Sequence, residues 1–108
     1  MLDLDREYHQ FIDACASVFT GEEMHEIEKS YKFGIEKHGD RIRLNGTPYM
    51  SHPLGVALIL LDLNVDAVTI TASLIHETIN HAGATKEEIE SLFGSEVANI
   101  VSVISKLN

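Results

Sequence analysis

A chain of 108 residues, 44% of them apolar, is long enough for one hydrophobic core and too short for a core and a second catalytic lobe. A net charge of −9 repels phosphate backbones and argues against nucleic-acid binding. No apolar run approaches the roughly 20 residues that span a bilayer, and the longest, Val56 to Leu61, reads as a buried helix face.

Leu4, Tyr8, Phe11, Ile12, Cys15, Val18 and Phe19 recur at three- and four-residue steps, which predicts an amphipathic helix from about Leu4 to Phe19. Thr20-Gly21-Glu22-Glu23 has the form of a capping box; the helix it opens carries Met24, Ile27, Tyr31 and Ile35 as an apolar stripe and stops at Gly39. Periodicity then fails from Asp40 to Ser51, where Asn45-Gly46 and Pro48 mark a turn-rich loop. Pro53 suits the first position of a third helix running to about Asp62. Asp66 caps a fourth, with Val68, Ala72, Ile75 and Ile79 on its buried side and Gly83 at its end. Thr85-Lys86-Glu87-Glu88 is a second capping box for a short helix through Phe93, stopped by Gly94. Val97, Ile100, Val101, Ile104 and Leu107 define the last helix. The fold expected is all-α, a compact bundle of about six helices in a single domain spanning 1–108.

Charge and sulfur add little to this. Five of the eight basic residues (Lys29, Lys32, Lys37, Arg41 and Arg43) fall in a segment with only two acids, Glu36 and Asp40, where a small anion could bind but where a solvated helix face is the simpler reading. A single cysteine, Cys15, permits no internal disulfide, and the N-terminus lacks the pattern of a signal peptide, so a cytoplasmic location is expected.

The residues able to do chemistry gather at three places: His52-Pro53 at the end of the loop, His76-Glu77, and Asn80-His81. On a continuous helix His76 and Asn80, and likewise Glu77 and His81, stand four apart and share one broad face. Two imidazoles and a carboxylate on a core helix need partners, and a metal ion is one way of supplying them. The zincin pattern is excluded, because the second histidine comes at i+5 and is rotated about 140° from the first. His9, His25 and His38 read as ordinary core or surface residues.

The run Arg43-Leu44-Asn45-Gly46-Thr47-Pro48-Tyr49-Met50-Ser51-His52-Pro53 resembles the Arg-x-Ser-Gly-x-Pro-Tyr-x-x-His-Pro loop of the RelA/SpoT family, the synthetases and hydrolases of guanosine tetra- and pentaphosphate. Leu54-Gly55-Val56-Ala57, Ala72-Ser73-Leu74-Ile75-His76, Phe93-Gly94, Val97 and Ser105-Lys106-Leu107 continue the likeness, which covers roughly Tyr31 to Leu107 and points to the HD-type hydrolase domain.

The resemblance implies a manganese ion held by His52 and by a His-Asp pair that falls here on His76-Glu77; a further aspartate is placed beyond Asn108. The change from Asp to Glu moves the carboxylate outward by about 1.5 Å, one carbon–carbon bond. Active members carry Glu-Asp where this chain has Asn80-His81, and asparagine cannot exchange a proton usefully near neutral pH. Arg43 matches an arginine that stacks on guanine, Asn45 lies beside it in the nucleotide-binding loop, and the next basic residue of the family is Leu44 here.

The reading that follows is a catalytically impaired hydrolase-like domain with a structural or regulatory role, the N-terminal part of a longer GTP pyrophosphokinase of the stringent response. Its Mn2+ binding is expected to be weak or absent, and its partners are expected to be guanosine tetraphosphate and either a following synthetase domain or a second copy docked through the last helix. An active Mn-dependent 3′-pyrophosphohydrolase and a helical interaction module without ligand are the alternatives.

Overall fold

A computed structural model describes residues 4–107. The helices are α1 (Leu4–Ala16), α2 (Gly21–His38), α3 (Ser51–Asp62), α4 (Ala67–Leu74), α5 (Thr78–Ala82), α6 (Lys86–Phe93) and α7 (Ser95–Leu107). The all-α expectation holds: the only β pairing among the described residues is one isolated antiparallel bridge, Ile42 with Pro48. All six expected helical segments are present, and the fourth is broken into α4 and α5.

α4 organises the molecule, packing against α2, α3 and α7. Six of its eight residues are buried, so it serves two cores. On one side Leu74 and Ile70 join Phe11, Ile27, Tyr31 and Leu54, which ties α1, α2 and α3 together. On the other, Ala72 meets Phe33 of α2 and the Ile89, Phe93 and Val101 side chains of α6 and α7. Each fully buried aliphatic or aromatic side chain contributes about 1.5–3 kcal/mol relative to exposure. α2 and α4 approach closely at Gly34, where a Cβ would lie 2.7 Å from Met50 Cε and 3.3 Å from the Leu74 carbonyl oxygen.

The caps explain where the helices begin. Thr20 Oγ1 accepts from the Glu23 amide while Glu23 Oε1 accepts from the Thr20 amide, a reciprocal box. Asp66 Oδ1 accepts from the amide and hydroxyl of Thr69 at 2.9 and 2.6 Å. The Thr85 box is only half built. Thr85 Oγ1 accepts from the Glu88 amide, but the Glu88 carboxylate pairs with Lys37 of α2 at 2.9 Å. Gly83, at φ 75°, ends α5 as expected, its amide donating to the Thr78 carbonyl.

Several boundaries differ from the sequence expectations. α1 stops at Ala16, and a turn on the Cys15 carbonyl leaves Val18 exposed. α3 starts at Ser51, so Pro53 is its third residue; its missing N–H is still one that a first helical turn leaves unused. The apolar run is not a buried face, since of Val56–Leu61 only Ala57 is buried and Ile59 is 64% exposed. Ile35 is also exposed, and the buried face of α2 instead includes Ser30, Phe33, Gly34 and His38. In α7, Val97 and Val101 are buried but Leu107 is not.

The largest departure is the break at 75–77. Ile75, with φ −118° and ψ 12°, leaves the helical region. The carbonyls around it are claimed by side chains: Ser73 Oγ donates to Ile70, Thr78 Oγ1 to Ile75, and His76 Nδ1 to Ser73, at 2.7, 2.8 and 2.6 Å. Such local bonds compete with the helical ladder and loosen it. His76 and Glu77 therefore sit on a turn between two helices and not on a continuous helical face.

Candidate metal centre and its loop

The break carries His76 and Glu77 toward the start of α3. There His52, exposed in the first turn of α3, joins them, and one ligand atom from each of the three lies within 4.8 Å of the others. The bond from His76 Nδ1–H to the Ser73 carbonyl leaves Nε2 with a free lone pair, the arrangement in which metal-binding histidines are usually oriented. Ligands bound to one ion at about 2.1 Å lie at most about 4.2 Å apart, so a small inward movement of side chains would bring all three onto a single ion. Glu77 is mostly buried, and its Oε1 accepts no hydrogen bond. An orphaned buried carboxylate oxygen beside two imidazoles fits a divalent cation.

Glu77 faces one cation already. Arg43 Nη1 stands 3.5 Å from Glu77 Oε1, and neither atom makes a hydrogen bond among the described residues. The loop that delivers Arg43 is tight. The Arg43 amide donates to the Thr47 carbonyl, the Gly46 amide to the Arg43 carbonyl, and the Tyr49 amide to the Arg41 carbonyl. Asn45 shapes this turn: its Oδ1 accepts from the amide and hydroxyl of Thr47 at 3.1 and 2.7 Å. The guanidinium groups of Arg41 and Arg43 each lie 5.1 Å from the centre of the Tyr49 ring. On its other contact Tyr49 stacks on His38, ring centres 4.3 Å apart and planes 22° from parallel.

His38 is the residue that the sequence reading missed. It is 2% exposed, and neither ring nitrogen has a hydrogen-bond partner among the described residues. Burial pushes its pKa down to about 4, against a pull upward from Glu77 and with further lowering from Arg41, His81 and His76. His38 is thus a core histidine that underlies the loop, without the hydrogen-bond partners among the described residues that such a residue ordinarily finds. The signal that could have pointed to it is its place at the last turn of α2, immediately before the motif loop.

The basic segment is likewise more than a solvated face. Lys29 donates to the Leu92 carbonyl and lies over the Phe93 ring, and Lys37 pairs with Glu88, so both clamp α2 to α6.

Of the Asn80-His81 pair, neither residue belongs to the three-ligand cluster. Asn80 Nδ2 donates to the Ser105 carbonyl at 2.9 Å and ties α5 to α7. His81 is exposed, with its ring centre 6.2 Å from that of Tyr49.

An all-helical domain with two histidines and a carboxylate gathered at a helix break invites comparison with metal-binding helical hydrolases. The profile of the HD domain family matches residues 30–108. Curated relatives include the GTP pyrophosphokinase rsh of Brucella ovis, 44% identical over 81 residues, covering 75% of this chain and 11% of the relative. The guanosine-3′,5′-bis(diphosphate) 3′-pyrophosphohydrolase of Aquifex aeolicus is 45% identical over 82 residues, 76% of this chain and 12% of the relative. The GTP pyrophosphokinase of Myxococcus xanthus is 44% identical over 82 residues, again 76% of this chain and 11% of the relative. The chain belongs to the HD domain family and, within it, to the RelA/SpoT type. It spans little more than a tenth of the length of these relatives.

Proposed function

We propose that this chain is a catalytically impaired guanosine tetraphosphate hydrolase-like domain with a structural or regulatory role in a longer protein of the stringent response. The observation that carries this reading is the position of Asn80. A residue expected at the proton-transfer step has a side chain that cannot titrate usefully, and its amide is spent on the Ser105 carbonyl.

His52, His76 and Glu77 are the residues that would hold a divalent cation, manganese in the reading favoured by the resemblance. A bound cation would polarise a phosphoryl oxygen and lower the pKa of a water molecule. Arg43 and Asn45 are the nucleotide-facing candidates. Asn45 acts by holding the turn that presents Arg43, and Arg43, backed by Tyr49, offers a flat cation to a base or a phosphate. A regulatory role calls for a docking partner, and the exposed Val103 and Leu107 of α7 are available to a following synthetase domain or to a second copy.

The second reading, a working hydrolase, is favoured by one feature, the clustering of His52, His76 and Glu77. Incubation with guanosine tetraphosphate and manganese tests between the two. The impaired domain leaves the nucleotide intact; stoichiometric or catalytic release of pyrophosphate supports the enzyme.

A further inference from the structure

We infer that Arg43 is a built-in competitor for the cation site, a latch on Glu77 that a divalent ion must displace. The inference rests on the proposed reading of His52, His76 and Glu77 as a partial cation site. Glu77 is the only carboxylate of the three-ligand cluster, and the same oxygen that lacks a hydrogen bond is the one facing Arg43 Nη1 at 3.5 Å. At that separation the pair gains Coulomb attraction without hydrogen bonding, so both buried atoms stay under-satisfied. A carboxylate held this way is neutralised in the absence of a cation and poorly satisfied by its partner.

The guanidinium can leave without unfolding the loop. Its other contact is the face of Tyr49, and the turn that carries it is held by backbone bonds and by Asn45. Arg43 thus touches both Glu77 and the face of Tyr49, and a cation that takes Glu77 leaves the guanidinium with the ring alone. Cation binding frees the guanidinium toward the loop, where an anionic ligand would meet it. Arg41 provides an internal comparison, for it lies equally far from the Tyr49 ring and carries the same charge, while the ion pair to Glu77 is made by Arg43.

The test is titration of the purified chain with Mn2+ alone, followed by electron paramagnetic resonance of the free ion, for wild type, Arg43→Gln, Arg43→Met and Arg41→Gln. Helical melts confirm that each variant is folded, and Arg43→Met, which keeps an apolar stem on Tyr49, stands in should Arg43→Gln fail to fold. The latch predicts that loss of Arg43 tightens Mn2+ binding by about fivefold or more, the equivalent of an ion pair removed from competition, while Arg41→Gln changes it by less than about twofold. Equal tightening in the Arg41 and Arg43 variants would show a general charge effect and overturn the latch. Wild type and Arg43 variants binding Mn2+ alike would also overturn it while leaving the three-residue cation site standing. No binding by any variant would overturn both the latch and the cation site, and the impaired-hydrolase reading would still be decided separately by pyrophosphate release.

Discussion

Glu77 and His38 both meet the motif loop, Glu77 at Arg43 and His38 at Tyr49, and each meets the cost of burial differently. Glu77 gains a counter-charge from Arg43. His38, with no hydrogen-bond partner on either nitrogen among the described residues, gives up its proton, because burial favours the neutral ring. That choice has a pH signature. His38 titrates near 6.5 in the unfolded chain and near 4 in the folded one. Above pH 6.5 both states are neutral, and the burial of the ring contributes fully to stability. As pH falls from 6.5 toward 4 the unfolded chain takes up the proton first, and stability is lost by up to about 1.4 kcal/mol per pH unit. Chemical denaturation at pH 7 and pH 5 should show a larger loss in wild type than in His38→Phe, which keeps a flat ring under Tyr49 but cannot titrate. Equal losses in the two proteins would mean that His38 is already satisfied by water.

At the scale of elements, the caps were legible because a cap is a local event. Thr20, Asp66 and Thr85 each bond an amide three residues on, and Gly83 takes the left-handed turn that its position called for. The break between α4 and α5 was not legible. The apolar series Val68, Ala72, Ile75 and Ile79 keeps its spacing through the break, while the carbonyl bonds from Ser73, His76 and Thr78 that open the helix leave no mark on that periodicity. Glu88 shows the same limit, for a long-range partner, Lys37, outcompetes the local box. The close approach of α2 to α4 is likewise tertiary information. At Gly34 the Met50 side chain can shift but the Leu74 carbonyl belongs to α4 itself. Gly34→Val should therefore destabilise the fold by about 1–3 kcal/mol through overpacking, measured as a lower midpoint in urea. An unchanged midpoint would show that α2 and α4 separate freely.

For the molecule as a whole, the two cores close on apolar side chains from all the helices without calling on the three candidate ligands. Thermal melts with and without chelator should accordingly superimpose, and a large loss of helicity in chelator would make the cation structural. How much of the site could be read from sequence follows from the same division. His52, His76 and Glu77 could be picked out by motif, and the structure brings them together although the helical face first used to group them with Asn80 and His81 is broken. The Arg43–Glu77 pair could not be foreseen, since it depends on how far a loop folds back over a helix break. The central claim is that the chain keeps much of a cation site and lacks the acid that would use it. Loss of a proton-transfer group costs about 10² to 10⁴ in rate, and the parts of one mechanism do not multiply independently. The direct measurement is pyrophosphate release from guanosine tetraphosphate at matched manganese, by the wild-type chain and by the Glu77→Asp, Asn80→Glu, His81→Asp triple variant in a chain extended to include the downstream aspartate that the resemblance implies. The account predicts negligible release by wild type and measurable turnover by the extended triple variant; wild-type turnover equal to or above that of the variant would contradict it.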